Sequence, residues 1–125
     1  MATPIEPSSL DKGLFDRLIR QASRAPSAER AWLYLEASHV VGQLRFRPHL
    51  RSHAHMLSLA WRLRDGREVF GQLFRLGLVP LGHLSGRLPI GNPGRANVSA
   101  FEPMEVRPEL KGLIDEARRT VNPDA

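Results

Sequence analysis

The chain has 125 residues, enough for one domain with its own core, and we interpret residues 1–125 as a single helical domain. It contains no cysteine, which excludes thiolate metal sites, disulfide frameworks and cysteine nucleophiles and favours a cytoplasmic protein. Its net charge of +5, with 16 arginines among 18 basic residues, suggests a nucleic acid or an acidic protein as an alternative partner, although the arginines are spread along the chain.

The N-terminal segment lacks the basic start and apolar run of an export signal. The longest apolar stretch, residues 69–84, is interrupted by Gln72, Arg75 and Pro80 and is shorter than the roughly 20 apolar residues that span a bilayer. The sequence therefore predicts neither export nor a membrane partner.

Apolar residues at helical spacing predict three helices in the first half of the chain. After a loose lead-in at residues 1–7, Ser8 or Ser9 caps a first helix that extends to about residue 25. Ser27 caps a second helix to about residue 44, and Pro48 occupies the first position of a third helix to about residue 64. The short link between the second and third helices predicts an antiparallel hairpin.

The second half begins with a helix that is capped by Asp65 and extends to about residue 79, where Pro80 bends or stops it, with Phe70 and Phe74 assigned to the core. Residues 82–108 are rich in glycine and proline, yet too apolar for a disordered segment, and are predicted to form an irregular strap across the helices. Pro108 opens a last helix to about residue 121. No period-two pattern is sustained, so the predicted fold class is all-α, a small bundle of four to five helices.

A glutamate and a histidine stand out on the second helix. Between residues 31 and 44 the only formally charged side chain is Glu36, in a helix that is apolar nearly all the way round and hence buried. A buried carboxylate needs a cation, a hydrogen-bond donor, a metal or a proton. His39, three residues later, lies on the same face.

The histidines of the third helix lie on two different faces. His55 belongs to a polar stripe and is predicted to be solvated. His49 and His53 lie on the apolar stripe, and their i, i+4 spacing allows two imidazoles to bind one ion.

The hairpin predicts a metal site that joins these two helices. If the chain turns near Phe46, His39 lies level with His53, with Glu36 one turn farther from the loop and His49 one turn nearer. Imidazole and carboxylate together suit zinc, iron, nickel or copper. The alternative is a hydrogen-bonded structural pair of a buried histidine and glutamate, without a metal.

Two further side chains, Glu68 and Gln72 on the fourth helix, are additional ligand candidates if their face turns inward. The simpler interpretation places them with Arg75 on a solvated stripe. His83 has no partner at ligand spacing. A homodimer is a further option, because a second chain would supply the carboxylates that a di-iron centre requires.

Four segments of the sequence resemble the DUF3703 family of small bacterial proteins of unknown function. They are LEASHVVGQ (35–43), HLRSH (49–53), REVFGQLFRL (67–76) and GRLPIGNPGRANVSAFEPM (86–104). The resemblance implies that six residues fall at motif positions, namely Glu36, His39, His49, His53, Glu68 and Gln72. It implies no activity.

The leading functional hypothesis is a helical protein that binds a transition metal for storage, delivery or sensing. One alternative is an interaction module that binds nucleic acid or an acidic protein through its arginines. Another is a mononuclear metal-dependent enzyme that uses two histidines and one glutamate as ligands.

Overall fold

The structure, a computed structural model, describes residues 12–99 and 101–121, which form five helices and no strand. The helices are α1 (Lys12–Ser23), α2 (Ala28–Gly42), α3 (Phe46–Arg62), α4 (Gly66–Ser85) and α5 (Pro108–Val121). The predicted all-α class is therefore confirmed. The predicted lead-in and the cap at Ser8 or Ser9 lie outside the described residues.

Two helices begin where the sequence places their capping side chains. The hydroxyl of Ser27 accepts a hydrogen bond from a backbone N–H three residues later in α2, at 3.2 Å. The carboxylate of Asp65 does the same for α4, at 3.1 Å. Each cap satisfies one of the N–H groups that the first turn of a helix leaves unpaired.

Helix α4 is longer than predicted. Instead of ending at Pro80 it continues to Ser85 and stops at Gly86, whose φ of 75° is in the left-handed region that favours glycine. A proline inside a helix costs about 3 kcal/mol. Here the additional turn makes tertiary contacts that offset this cost, among them the contact of His83 with α3.

Helix α2 lies at the centre of the bundle, where it packs against α1, α3 and α5. From residue 35 to residue 42 every side chain is buried, as expected for a helix that is apolar nearly all the way round. The core around it is built from apolar side chains of the other helices, including Leu14, Phe15, Leu18, Met56, Leu110 and Ile114.

Helix α4 presents its polar face to the interior, which reverses the predicted orientation. Glu68, Gln72 and Arg75 are buried, so the solvated stripe predicted for them is wrong. Phe70 and Phe74, assigned to the core, are 74% and 54% exposed. The polar side chains face inward because they find hydrogen-bond partners there. Gln72 bonds to His53 of α3 and to the Gly94 oxygen, and Arg75 donates to the Val98 oxygen.

An irregular segment, residues 86–99 and 101–107, which we call the strap, crosses the bundle between α2 and α4. Gln43 ties it to α2, donating from Nε2 to the Pro89 oxygen at 2.7 Å and accepting from the Gly91 N–H at 2.8 Å. The strap passes so close to α2 that a Cβ at Gly94, where φ is 89°, would stand 2.7 Å from the His39 ring. Glycine is therefore required at this position.

None of the helices within the described ranges combines the length and the apolar character that crossing a membrane requires.

Candidate metal centre

Three buried histidines meet between α2, α3 and the strap. His39 comes from the last turns of α2, while His49 and His53 come from successive turns of α3. Each is at most 4% exposed. The Nε2 atom of His39 lies 3.2 Å from Nε2 of His49 and 3.1 Å from Nε2 of His53. We call these residues the three-histidine cluster, and its potential ligand atoms all lie within 4.8 Å of one another.

The other ring nitrogen of His39 fixes its tautomer. Nδ1 lies 2.7 Å from the backbone oxygen of Asn92, which can only accept a hydrogen bond. Nδ1 of His39 therefore carries the hydrogen. In the neutral ring this leaves a lone pair on Nε2, directed at the other two histidines.

The tautomer of His53 is fixed in the same way by Gln72. Nδ1 of His53 lies 2.7 Å from Oε1 of Gln72. The amide cannot be reversed, because its Nε2 donates to the Glu68 carboxylate at 2.7 Å and to the Gly94 oxygen at 3.0 Å. His53 is therefore also protonated on Nδ1 when neutral, with a lone pair on Nε2.

It follows that the 3.1 Å contact between His39 and His53 is not a hydrogen bond in the neutral state. Both Nε2 atoms are acceptors, and their lone pairs face each other at a buried site. Such a contact is repulsive unless a cation lies against both nitrogens. This geometry is unlike the hydrogen-bonded structural pair considered as an alternative from the sequence.

His49 completes the cluster with help from a residue that the sequence analysis set aside. Its Nδ1 lies 3.0 Å from Nε2 of His83, near the end of α4. With the hydrogen on Nδ1, His49 donates to His83 and directs a third lone pair to the centre. His83 was missed because its contact depends on the continuation of α4 beyond Pro80.

Burial keeps the cluster neutral, the form that binds metals. It lowers the pKa of His39 well below the usual value, and the neighbouring His53 and His49 lower it further. Burial likewise lowers the pKa of His49 to about 3, with smaller contributions from its histidine neighbours. For His53 burial lowers the pKa to about 4, partly opposed by the hydrogen bond to Gln72. A proton shared within the cluster is disfavoured for the same reasons.

These pKa values predict that the metal-free protein loses stability in acid. The unfolded chain binds protons at its histidines below about pH 6.5, whereas the folded chain does so only near pH 3 to 4 at His49 and His53. The free energy of unfolding should fall as pH decreases through this window, by up to about 1.4 kcal/mol per pH unit for each histidine. Urea unfolding at pH 7, 6 and 5 measures this slope. Equal stability at all three pH values would contradict it.

Glu36 is not part of the cluster, although the sequence grouped it with His39. Its Oε2 lies 2.9 Å from Nη2 of Arg107, and its Oε1 lies 3.8 Å from Nη1 of Arg95. Burial raises the pKa of Glu36, while both arginines act to lower it. The carboxylate is thus engaged by arginines of the strap, and the set of side chains brought together reduces to the three histidines.

Glu68 and Gln72 surround the cluster without pointing a ligand atom into it. Gln72 links His53 to Glu68, as described above. Glu68 accepts from Arg95 Nε and from the Ala96 N–H, each at 2.9 Å. Such a chain of partners behind a histidine orients the ring and makes its free nitrogen a better ligand.

A cavity of about 330 Å³ opens on one side of the cluster. All three histidines line it, and α4 and the strap provide most of its remaining wall. A metal held by the cluster would therefore have protein ligands on one side and an accessible position on the other. Catalytic zinc sites have this arrangement, whereas structural zinc sites are closed by four protein ligands.

Comparison with known proteins identifies a family for this chain but assigns it no activity. No curated protein and no solved structure matches the chain. One family matches residues 12–114, a span that includes the three-histidine cluster and the whole strap, and it is described as a protein of unknown function, DUF3703. The chain therefore belongs to the DUF3703 family.

Proposed function

We propose that this protein binds one divalent transition-metal ion through the Nε2 atoms of His39, His49 and His53. The observation that carries the proposal is the 3.1 Å contact between two Nε2 lone pairs whose Nδ1 hydrogens are committed elsewhere. Three nitrogens on a tetrahedral metal, each bonded at about 2.0–2.1 Å, lie about 3.3 Å apart. Two of the three distances in the cluster, 3.1 and 3.2 Å from His39 to its neighbours, are close to this spacing, and the ligand atoms of all three residues lie within 4.8 Å of one another.

The donor set narrows the identity of the metal. Three neutral imidazoles without thiolate or carboxylate suit zinc, iron, nickel or copper, and disfavour magnesium and calcium, which prefer oxygen ligands. Storage, delivery or sensing of such a metal requires no further protein group.

The cavity favours a second candidate, metal-dependent catalysis at the open position. The ligands would then be three histidines, in place of the two histidines and one glutamate considered from the sequence, because Glu36 is paired with arginines. A metal at this position could polarise a substrate or activate a water molecule. Two of the arginines that the interaction module would use, Arg95 and Arg107, are engaged with buried glutamates.

Metal analysis of untagged protein tests the proposal. Protein stripped with a chelator and reconstituted with zinc or cobalt(II) should retain about one ion per chain after gel filtration, because the three histidines already meet at one buried place. Cobalt(II) should also give visible absorption bands of a nitrogen-ligated site. Protein that stays metal-free after reconstitution would refute the proposal.

A further inference from the structure

Arg75 is a buried cation in the wall of the cavity that the cluster lines. It is 8% exposed, and its guanidinium is held by two backbone oxygens, Gly71 at 3.1 Å and Val98 at 2.6 Å. Its Nε has no hydrogen-bond partner among the described residues, and none of the ion pairs found there includes it. Glu68 favours the charged form of Arg75 but forms no ion pair with it. A buried charge that lacks a directly bonded counter-ion is costly, so the site favours the binding of an anion.

A metal ion in the cluster would add positive charge to the site and so favour anion binding further. An imidazole binds a metal in its neutral form, so three histidine ligands leave the two positive charges of the metal unneutralised, and Arg75 adds a third. The buried carboxylates nearby, Glu36 and Glu68, are both paired with arginines of the strap. The accessible side of the metal thus faces a cavity in which the remaining protein groups provide no negative charge.

The rest of the cavity is suited to an apolar group. Most of its walls are apolar, with Arg87 and Ser85 as further polar side chains; the apolar ones are Leu78, Val79, Leu81, Leu88 and Phe101. Its volume of about 330 Å³ is at the lower end of the range for small-molecule sites, roughly 300 to 1,000 Å³. A ligand that fits has one anionic end and a short apolar body.

We propose that the cavity binds a small organic carboxylate, with the carboxylate between the metal and Arg75 and the apolar body against the leucines and Phe101. This inference rests on the proposed metal centre. A carboxylate oxygen is a good ligand for the metals considered above, and its planar pair of oxygens matches a guanidinium.

The test uses full-length protein loaded with cobalt(II) and three six-carbon probes, hexanoate, hexan-1-ol and hexylamine. Hexanoate should shift the visible bands of the bound cobalt(II) in a saturable way at millimolar concentration, and the alcohol and the amine should not. Acetate should bind at least about tenfold more weakly than hexanoate, because it lacks the four methylenes that the apolar wall would cover.

Arg75→Met supplies the matched variant, since it keeps the unbranched apolar stem of the side chain and removes the guanidinium and its charge. It should retain cobalt(II) and bind hexanoate at least about tenfold more weakly. Loaded protein that does not respond to hexanoate, or that responds equally to hexan-1-ol, would overturn this inference and leave the metal centre intact. Failure to bind cobalt(II) would overturn the metal centre, and this inference with it.

The outer face of α4 carries large apolar side chains that are about half or more exposed to solvent. Between residues 69 and 85 its only formally charged side chain is Arg75, which is buried. The exposed residues recur at helical spacing on one face, and Phe101 of the strap packs beside Phe74 with ring centroids 6.4 Å apart. This apolar stripe consists of Phe70, Leu73, Phe74, Leu81, Leu84 and Phe101, each between 49% and 89% exposed.

The stripe has the area and shape of a dimer interface. Partly exposed leucine and phenylalanine side chains of this number offer roughly 800 Å² per chain, the contribution of one partner to a standard protein interface. Gly77 lies at the middle of the stripe with nothing within 4 Å of a Cβ built there, so that two helices could approach closely. Leu81 and Phe101 also line the cavity.

We infer that a second copy of this chain covers the apolar stripe, related by a two-fold axis near Gly77.

Sedimentation equilibrium should give twice the chain mass of 14.0 kDa at micromolar concentration. Leu81→Glu should raise the dissociation constant at least about 100-fold, since it buries charge in the interface. Thr120→Glu, which adds the same charge at an exposed position of α5, should leave the dissociation constant unchanged. A monomer throughout, a larger assembly, or a Leu81→Glu protein that stays dimeric would each overturn this assignment.

Discussion

His39→Ala should weaken zinc binding by about 100-fold or more. His39 is the only member of the cluster that α2 contributes, and its Nε2 is the atom within 3.2 Å of both other ligand nitrogens. Removing it leaves two histidines, and loss of a ligand should cost at least as much as loss of a supporting group, which typically costs 10- to 100-fold. Competition against a chromophoric chelator at pH 7 measures the affinity.

His55→Ala is the matched control for this variant. His55 lies on α3 between the two cluster histidines and the end of the helix, but it is exposed and takes no part in the cluster. Its zinc affinity should remain within about twofold of the wild type. Zinc should also raise the unfolding temperature of the wild type and the His55 variant, but not that of His39→Ala, because only a bound ligand stabilises the fold. Equal zinc affinity in all three proteins would contradict the assignment.

The sequence predicted the part of the site that depends on local geometry. The i, i+4 spacing of His49 and His53, together with a short hairpin loop, is enough to place both opposite His39. Helix starts at Ser27 and Asp65 were predictable because a cap acts within three residues. These interactions can be read without knowledge of the rest of the chain.

The partners of Glu36 could not be predicted in this way. On its helix the nearest polar candidate is His39, so local reasoning grouped the two. The structure instead brings Arg107 to it from 71 positions later in the chain. A carboxylate in an apolar helix indicates that some partner exists, but the helix itself carries no information about which distant segment supplies it.

The orientation of helix α4 could not be predicted from local sequence either. Its apolar residues on one side and polar residues on the other predict amphipathic packing with the polar side outward. The polar side faces inward because Gln72 meets His53 and Arg75 meets the backbone of the strap. The supporting roles of His83 and of the Asn92 backbone also depend on where the strap and the end of α4 lie, so the spacing of residues gives no signal for them.

Glu36→Gln should destabilise the protein while leaving its metal content unchanged. The substitution keeps the shape of the side chain but removes the negative charge that Arg107 and Arg95 share. Removing one partner of a fully buried ion pair costs about 3–5 kcal/mol. Because these arginine side chains are 36% and 21% exposed, we expect a smaller decrease in the free energy of unfolding, about 2 kcal/mol, measured by urea unfolding.

Glu109→Gln is the matched control, because Glu109 also pairs with Arg107, at 3.3 Å, but its side chain is 60% exposed. Exposed pairs contribute about 0–1 kcal/mol, so this variant should be close to the wild type in stability.

The two roles considered for Glu36 make opposite predictions for the Glu36→Gln variant. If it serves the fold through arginines, Glu36→Gln binds about one zinc ion per chain with lowered stability. If it were a ligand, the variant would lose zinc affinity while its metal-free form kept the stability of the wild type, and the three-histidine assignment would have to be abandoned.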